Sequence, residues 1–159
     1  MLLNEFDNNK FHCAHNVLKN LGDTFSVTKD LLNASWIFIG GLAMLNRTCG
    51  ALAAGVMALS SLSAKIENSY SRVARMNRLL RKNDNTAMDE EINNFNSAIN
   101  LSDELGLWFR SEFGSTNCHD IWQYDFSRIH DVEDFLRGQC MERCSGMCEK
   151  VVNKISSMF

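Results

Sequence analysis

The chain has 159 residues, a formal net charge of −3, 45% hydrophobic residues, six cysteines and no proline. That length fits one domain able to bury a sizeable core, and the slightly acidic balance excludes the basic footprint of a nucleic-acid binder. Proline, the commonest helix breaker, is missing, and few segments alternate with the two-residue period of a strand. The expectation is therefore all-α: a single-domain helical bundle over residues 1–159, of about five helices around a buried central one.

In chain order, residues 1–9 read as a polar, frayed start. An early acidic residue and the lack of a basic stretch followed by an apolar one argue against a signal peptide, so the expected location is cytoplasmic. A first helix is predicted from Phe11 to Leu21, with Cys13 in its first turn and Gly22 as its stop. A second is predicted over Val27–Phe38, and Gly40-Gly41 marks a turn or a close backbone approach. The third should begin at Thr48, acting as N-cap. Its small residues, Gly50, Ala51, Ala53, Ala54, Gly55 and Ala58, would let another backbone come close, and its apolar character all round marks it as the central helix. It is allowed to continue, more polar, through Tyr70 to Lys82. The apolar stretch Ala34–Ala64 is cut by Asn46, Arg47 and Thr48, and neither half reaches the roughly 18–20 apolar residues of a membrane span.

Arg72, Arg75, Arg78, Arg81 and Lys82 lie along one helix side and read as a solvated face. Lys82–Asn85 reads as a loop. A fourth helix, capped by Thr86 or Asp89, should carry Met88, Ile92, Phe95, Ile99, Leu105, Trp108 and Phe109 and end near Gly114. A connection then holds Cys118 and His119. The last helix is predicted over Val132–Met158, with Val132, Leu136, Cys140, Cys144, Cys148, Val151 and Ile155 in one continuous stripe.

The cysteines carry the chemistry. In a cytosolic chain, six of them point to thiols, metal sites or redox pairs rather than a disulfide framework. Cys49, at a predicted helix start, would have its thiolate stabilised by free N–H groups and the positive end of the helix dipole. The competing reading is a small buried residue at a helix start. Cys13 lies between His12 and His15, and Cys118 precedes His119. Cys140, Cys144 and Cys148 stand one turn apart, with Cβ atoms about 5–6 Å from each other. That is far for an unstrained disulfide but suits thiolates sharing a metal or cluster, the alternative being apolar filler. The sequence lacks C-x-x-C, C-x-x-C-H and paired C-x₂-C. Their absence disfavours a thioredoxin-type dithiol, covalent haem and zinc knuckles. A P-loop and a dinucleotide fingerprint are also missing.

Several segments together resemble the C_GCAxxG_C_C family of redox-active proteins. They are F-H-C-A-H-N-V-L (11–18), F-I-G-G (38–41), C-G-A-L-A-A-G-V-M-A-L (49–59), F-R-S-E-F-G-S-T-N-C (109–118) and C-E-K-V-V (148–152). The glycine of the family motif falls on Ala54 here, with Gly55 one residue later. Cys148 fits the fourth family cysteine because V-V follows it, leaving Cys140 and Cys144 as additions of this chain. The resemblance implies an all-helical fold, a redox role and a homodimer. The domain is also similar to that of split-Soret cytochromes, whose cysteines are associated with an iron–sulfur cluster. By that resemblance the ligands are Cys13, Cys49, Cys118 and Cys148. Thiolates suit such a cluster, and helix N-terminal amides can tune it.

The functional expectation is an iron–sulfur electron-transfer protein, more carrier than catalyst, exchanging electrons with a redox partner protein. Two alternatives stand beside it. One is a thiol–disulfide enzyme or sensor with Cys49 as the reactive thiol. The other is a soft-metal binding or trafficking protein using some or all of Cys13, Cys49, Cys118, Cys140, Cys144 and Cys148. A structural protein with merely buried cysteines is the bland counterpart.

Overall fold

The computed structural model describes residues 12–63 and 69–159, with backbone only at 23, 62–63, 69–73 and 93–98. The expectations for residues 1–9, Phe11, the 64–68 continuation and the side chains of Tyr70, Arg72 and Phe95 lie outside that description. Eight α-helices and two short 3-10 segments appear among the described residues, with no strand. The all-α expectation holds, with more and shorter helices than the five foreseen.

Apolar periodicity builds the centre. Helix α1 (Cys13–Leu21) buries Val17, Leu18 and Leu21 on one face and stops at Gly22, whose φ of 44° a side chain would resist. Helix α2 (Lys29–Ala34) starts one residue after its cap, because Thr28 accepts from the Leu31 N–H. The expected Val27–Phe38 helix does not run through. Ser35 donates its hydroxyl back to the Leu32 carbonyl at 2.6 Å, and Ser35–Phe38 tightens into a 3-10 turn.

Helix α3 (Gly50–Ser63) is the central one. Ala51, Ala54, Ala58 and Leu59 are fully buried, and α3 packs on α1, α5 and α8. A Cβ on Gly55 would stand 2.6 Å from Leu105 and 2.9 Å from Ile155, so the close approach falls at Gly55 rather than at Ala54. Helix α4 (Ser69–Lys82) packs on α5 and links to it through Arg75–Glu91 at 3.6 Å.

Helix α5 (Asn85–Phe113) is capped by Asp84, which accepts from the Ala87 N–H. Thr86 and Asp89, expected as caps, lie inside the helix. It closes on Gly114 at φ 81° and buries Leu105 and Phe109 against α3. Cys118 opens a short helix, α6 (Cys118–Trp122), where a plain connection was expected. The last predicted helix is broken. Helix α7 (Ile129–Arg137) ends where Gly138 turns extended, and α8 (Cys140–Ser156) begins afresh. Val132 and Leu136 therefore do not share a continuous stripe with the cysteines. No helix among the described residues is long and apolar enough to cross a membrane.

Candidate thiol centre

Two non-local devices bring the cysteines together. First, the strand-like run 47–49 pairs antiparallel with 116–118. The Cys49 N–H donates to the Thr116 carbonyl and the Cys118 N–H to the Arg47 carbonyl, both at 2.8 Å, around a Thr48–Asn117 bridge. Thr48 is thus a bridge residue and not the cap. Cys49 itself takes the cap position, accepting the Ala53 N–H before α3 starts at Gly50.

Second, residues 40–44 form a left-handed turn, with φ from 50° to 72° at Gly40, Gly41, Leu42, Ala43 and Met44. For an L-residue that conformation costs roughly 1–2 kcal/mol. The turn is clamped by Asn46, which donates to Asp125 at 2.6 Å and accepts from the Phe126 N–H at 2.8 Å. A Cβ on Gly41 would lie 2.8 Å from the Cys118 Cβ, so glycine lets the turn close over that cysteine.

Cys13 sits at the middle of the thiols. All six cysteines are free, and all but Cys140 are buried. The thiols of Cys144 and Cys49 stand beside the Cys13 sulfur, as do the amides of Ala14 and Ala51. Together these hold Cys13 well below the ordinary thiol range, against the opposing effect of burial. The N-terminus of α3 is thus aimed at Cys13, which belongs to another helix. The space for it exists because residue 50 is glycine: a Cβ there would meet the Cys13 sulfur at 2.6 Å and the Phe38 carbonyl at 2.7 Å.

The neighbouring thiols move the other way. The neighbouring Cys13 sulfur, then burial and the charges of Cys13 and Cys118, push Cys49 well above the ordinary range. The charged form is thus favoured at Cys13 over Cys49, because the amides and neighbouring thiols converge there. Cys144 is raised by the Cys13 and Cys148 thiols beside it and by burial. Burial, with Cys13 beside it, pushes Cys118 up to about 12. The Cys148 thiol donates to the Cys13 carbonyl at 3.6 Å. A buried apolar pocket tolerates one negative charge among these sulfurs more readily than several.

Cys140 stands apart, half-buried, with its thiol 3.9 Å from the Tyr124 hydroxyl. The histidines beside cysteines turn elsewhere. His12 and His15 lie against Trp36, at ring separations of 3.8 and 5.2 Å, and His119 bonds to the Tyr124 carbonyl. One participant escaped the sequence reading: Met147, whose sulfur accepts from the Cys49 thiol at 3.7 Å. Nothing in a lone methionine beside Cys148 signals that role. Met147 also floors a groove of about 550 Å³ walled by Phe113, Trp122, Arg143 and Lys150.

Among the described residues, no three of Cys, His, Asp and Glu stand in the geometry that would hold a single metal ion. The donor chemistry nevertheless fits an iron–sulfur cluster. The buried donors are all thiols, with the α3 amides beside them, and soft thiolates with backbone N–H groups are what such a cluster takes.

No curated protein and no solved structure gives a significant match to the chain. A family model described as "Putative redox-active protein (C_GCAxxG_C_C)" matches residues 11–158. That match covers nearly the whole chain and includes five buried cysteines, so the protein belongs to the C_GCAxxG_C_C family of redox-active proteins.

Proposed function

We propose that this protein carries electrons through an iron–sulfur cluster held by Cys13, Cys49, Cys118 and Cys148. The observation that carries the reading is the convergence of thiols from α1, the start of α3, α6 and α8 on one buried site. An iron–sulfur cluster supplies a one-electron couple whose potential depends on charge, burial and hydrogen bonds to sulfur. The chain's own part is to exclude water and to aim the Ala14 and Ala51 amides at the Cys13 sulfur. A redox partner protein, a homodimer and a reducing cytoplasm belong to the same reading.

Protein purified without oxygen should be brown and contain iron and acid-labile sulfide. Cys13→Ser and Cys118→Ser should lose both, whereas Cys140→Ser should keep them. Colourless, iron-free protein after anaerobic reconstitution would overturn the reading.

A second reading, thiol–disulfide exchange, is favoured by the closeness of the Cys13 and Cys49 thiols. Cys49 was the sequence candidate for the nucleophile. The lowered range of Cys13 makes that sulfur the attacker in this reading. Alkylation rates at neutral pH then separate the two, with Cys13 faster than Cys49. Equal rates would remove this alternative.

A further inference from the structure

Cys144 is unused by the four-cysteine site, yet it lies against it. It stands one turn before Cys148, whose thiol reaches the Cys13 carbonyl at 3.6 Å, and close enough to Cys13 for the two thiols to influence each other's ionisation. Cys13 and Cys144 keep 6% and 7% of their surface open, whereas Cys49 keeps 1% and is also engaged by Met147. Cys13 and Cys144 are thus less enclosed than Cys49. Cys144 and Cys148 share one helix at a spacing of four, about 5–6 Å between Cβ atoms, beyond the separation that an unstrained disulfide takes. Cys13 is on a different helix, and α1 packs directly on α8.

We propose that Cys144 is the oxidation partner of Cys13, the two being joined as a disulfide by hydrogen peroxide in the metal-free protein. The Cys13 sulfur attacks one peroxide oxygen. An S–O bond forms, the O–O bond breaks, and hydroxide leaves and is protonated to water. The Cys144 sulfur then attacks the sulfenic sulfur, forming the S–S bond and expelling the second oxygen as water. Two thiols lose two electrons and two protons, and one peroxide becomes two waters. A dithiol reverses the step by exchange through a mixed disulfide. The consequence for cofactor loading rests on the reading above: the disulfide withholds one cluster ligand until it is reduced.

The test is disulfide mapping of the metal-free full chain after peroxide, with free thiols blocked. Trypsin leaves Cys13 in 11–19, Cys49 in 48–65, Cys118 in 111–128, Cys140 in 138–143, and Cys144 with Cys148 in 144–150. The expected product joins 11–19 to 144–150, with fragment ions locating the bond at Cys144. In Cys144→Ser the link disappears and a sulfenic-acid trap such as dimedone labels Cys13. Cys13 bonded to Cys49 or Cys148, or left unlinked in the wild type, overturns the proposal. In a parallel arm, peroxide-treated wild type should fail to take up iron until dithiothreitol is added. If untreated wild type takes up none, the cluster reading fails while the map still decides the disulfide.

Discussion

Gly50 is held between the Cys13 sulfur and the Phe38 carbonyl with no room for a methyl. Gly50→Ala must push the sulfur away or lift the start of α3, and overpacking of this kind costs about 1–3 kcal/mol. The sulfur would also drift from the Ala51 amide, which helps to keep it in the lower range. The expected outcome is a lower urea midpoint together with slower alkylation of Cys13 in the folded state. Unchanged alkylation at reduced stability would separate packing from electrostatics and refute the second half. At this scale the sequence exposed which residue types matter but not their roles. Cys49 stood out as a candidate because its helix start is local and readable. Cys13 receives that same helix end from a distant part of the chain, and a one-dimensional pattern does not carry this.

Among the elements, α3 illustrates what small residues do. Gly55 faces Leu105 on α5 and Ile155 on α8, both fully buried. Alanine there costs about 1–3 kcal/mol in overpacking and regains about 1 from helix propensity. Gly106, on α5, faces nothing within 4 Å. Gly106→Ala should therefore stabilise by about 0.5–1 kcal/mol. Chemical denaturation should move the two midpoints in opposite directions; a shift of the same sign in both would refute the packing account. Helices α1 and α5 were readable from their apolar spacing, and α3 from its small residues and its apolar character all round. The α7–α8 break was not, because cysteines spaced by four continued the stripe of Val132 and Leu136 across Gly138. The glycine stood in plain view, but the pattern masked it. The Ser35 turn was hidden in the same way, since a hydroxyl's choice to bond back to Leu32 depends on packing around it.

For the whole molecule, the thiol centre depends on contacts between distant segments, and carboxylates hold them. Asp125 joins the 40–46 turn to the Trp122–Phe126 region. Its side chain accepts from the Ser127 hydroxyl and N–H and from Asn46, and it pairs with Arg128 at 3.1 Å. Asp120 accepts from Ser115 and Asn117, on the opposite side of the paired run that fixes Cys49 and Cys118. The Ser127, Asn46 and Arg128 contacts hold Asp125 below the usual carboxylate value of 3.8, and the Ser115 and Asn117 donors do the same for Asp120. Below 3.8 the unfolded chain binds protons that the folded chain still refuses. Stability from these groups is therefore complete above that value and is lost as pH falls through their lower folded values. The expected outcome is a fall in the urea midpoint that steepens below about pH 4. Faster alkylation of Cys118 should accompany it as the clamp opens, once rates are corrected for thiolate fraction. An Asp120→Asn, Asp125→Asn double variant should be less stable at neutral pH and show a shallower slope in the acid range. Parallel slopes for the variant and the wild type would mean that the acid response arises elsewhere.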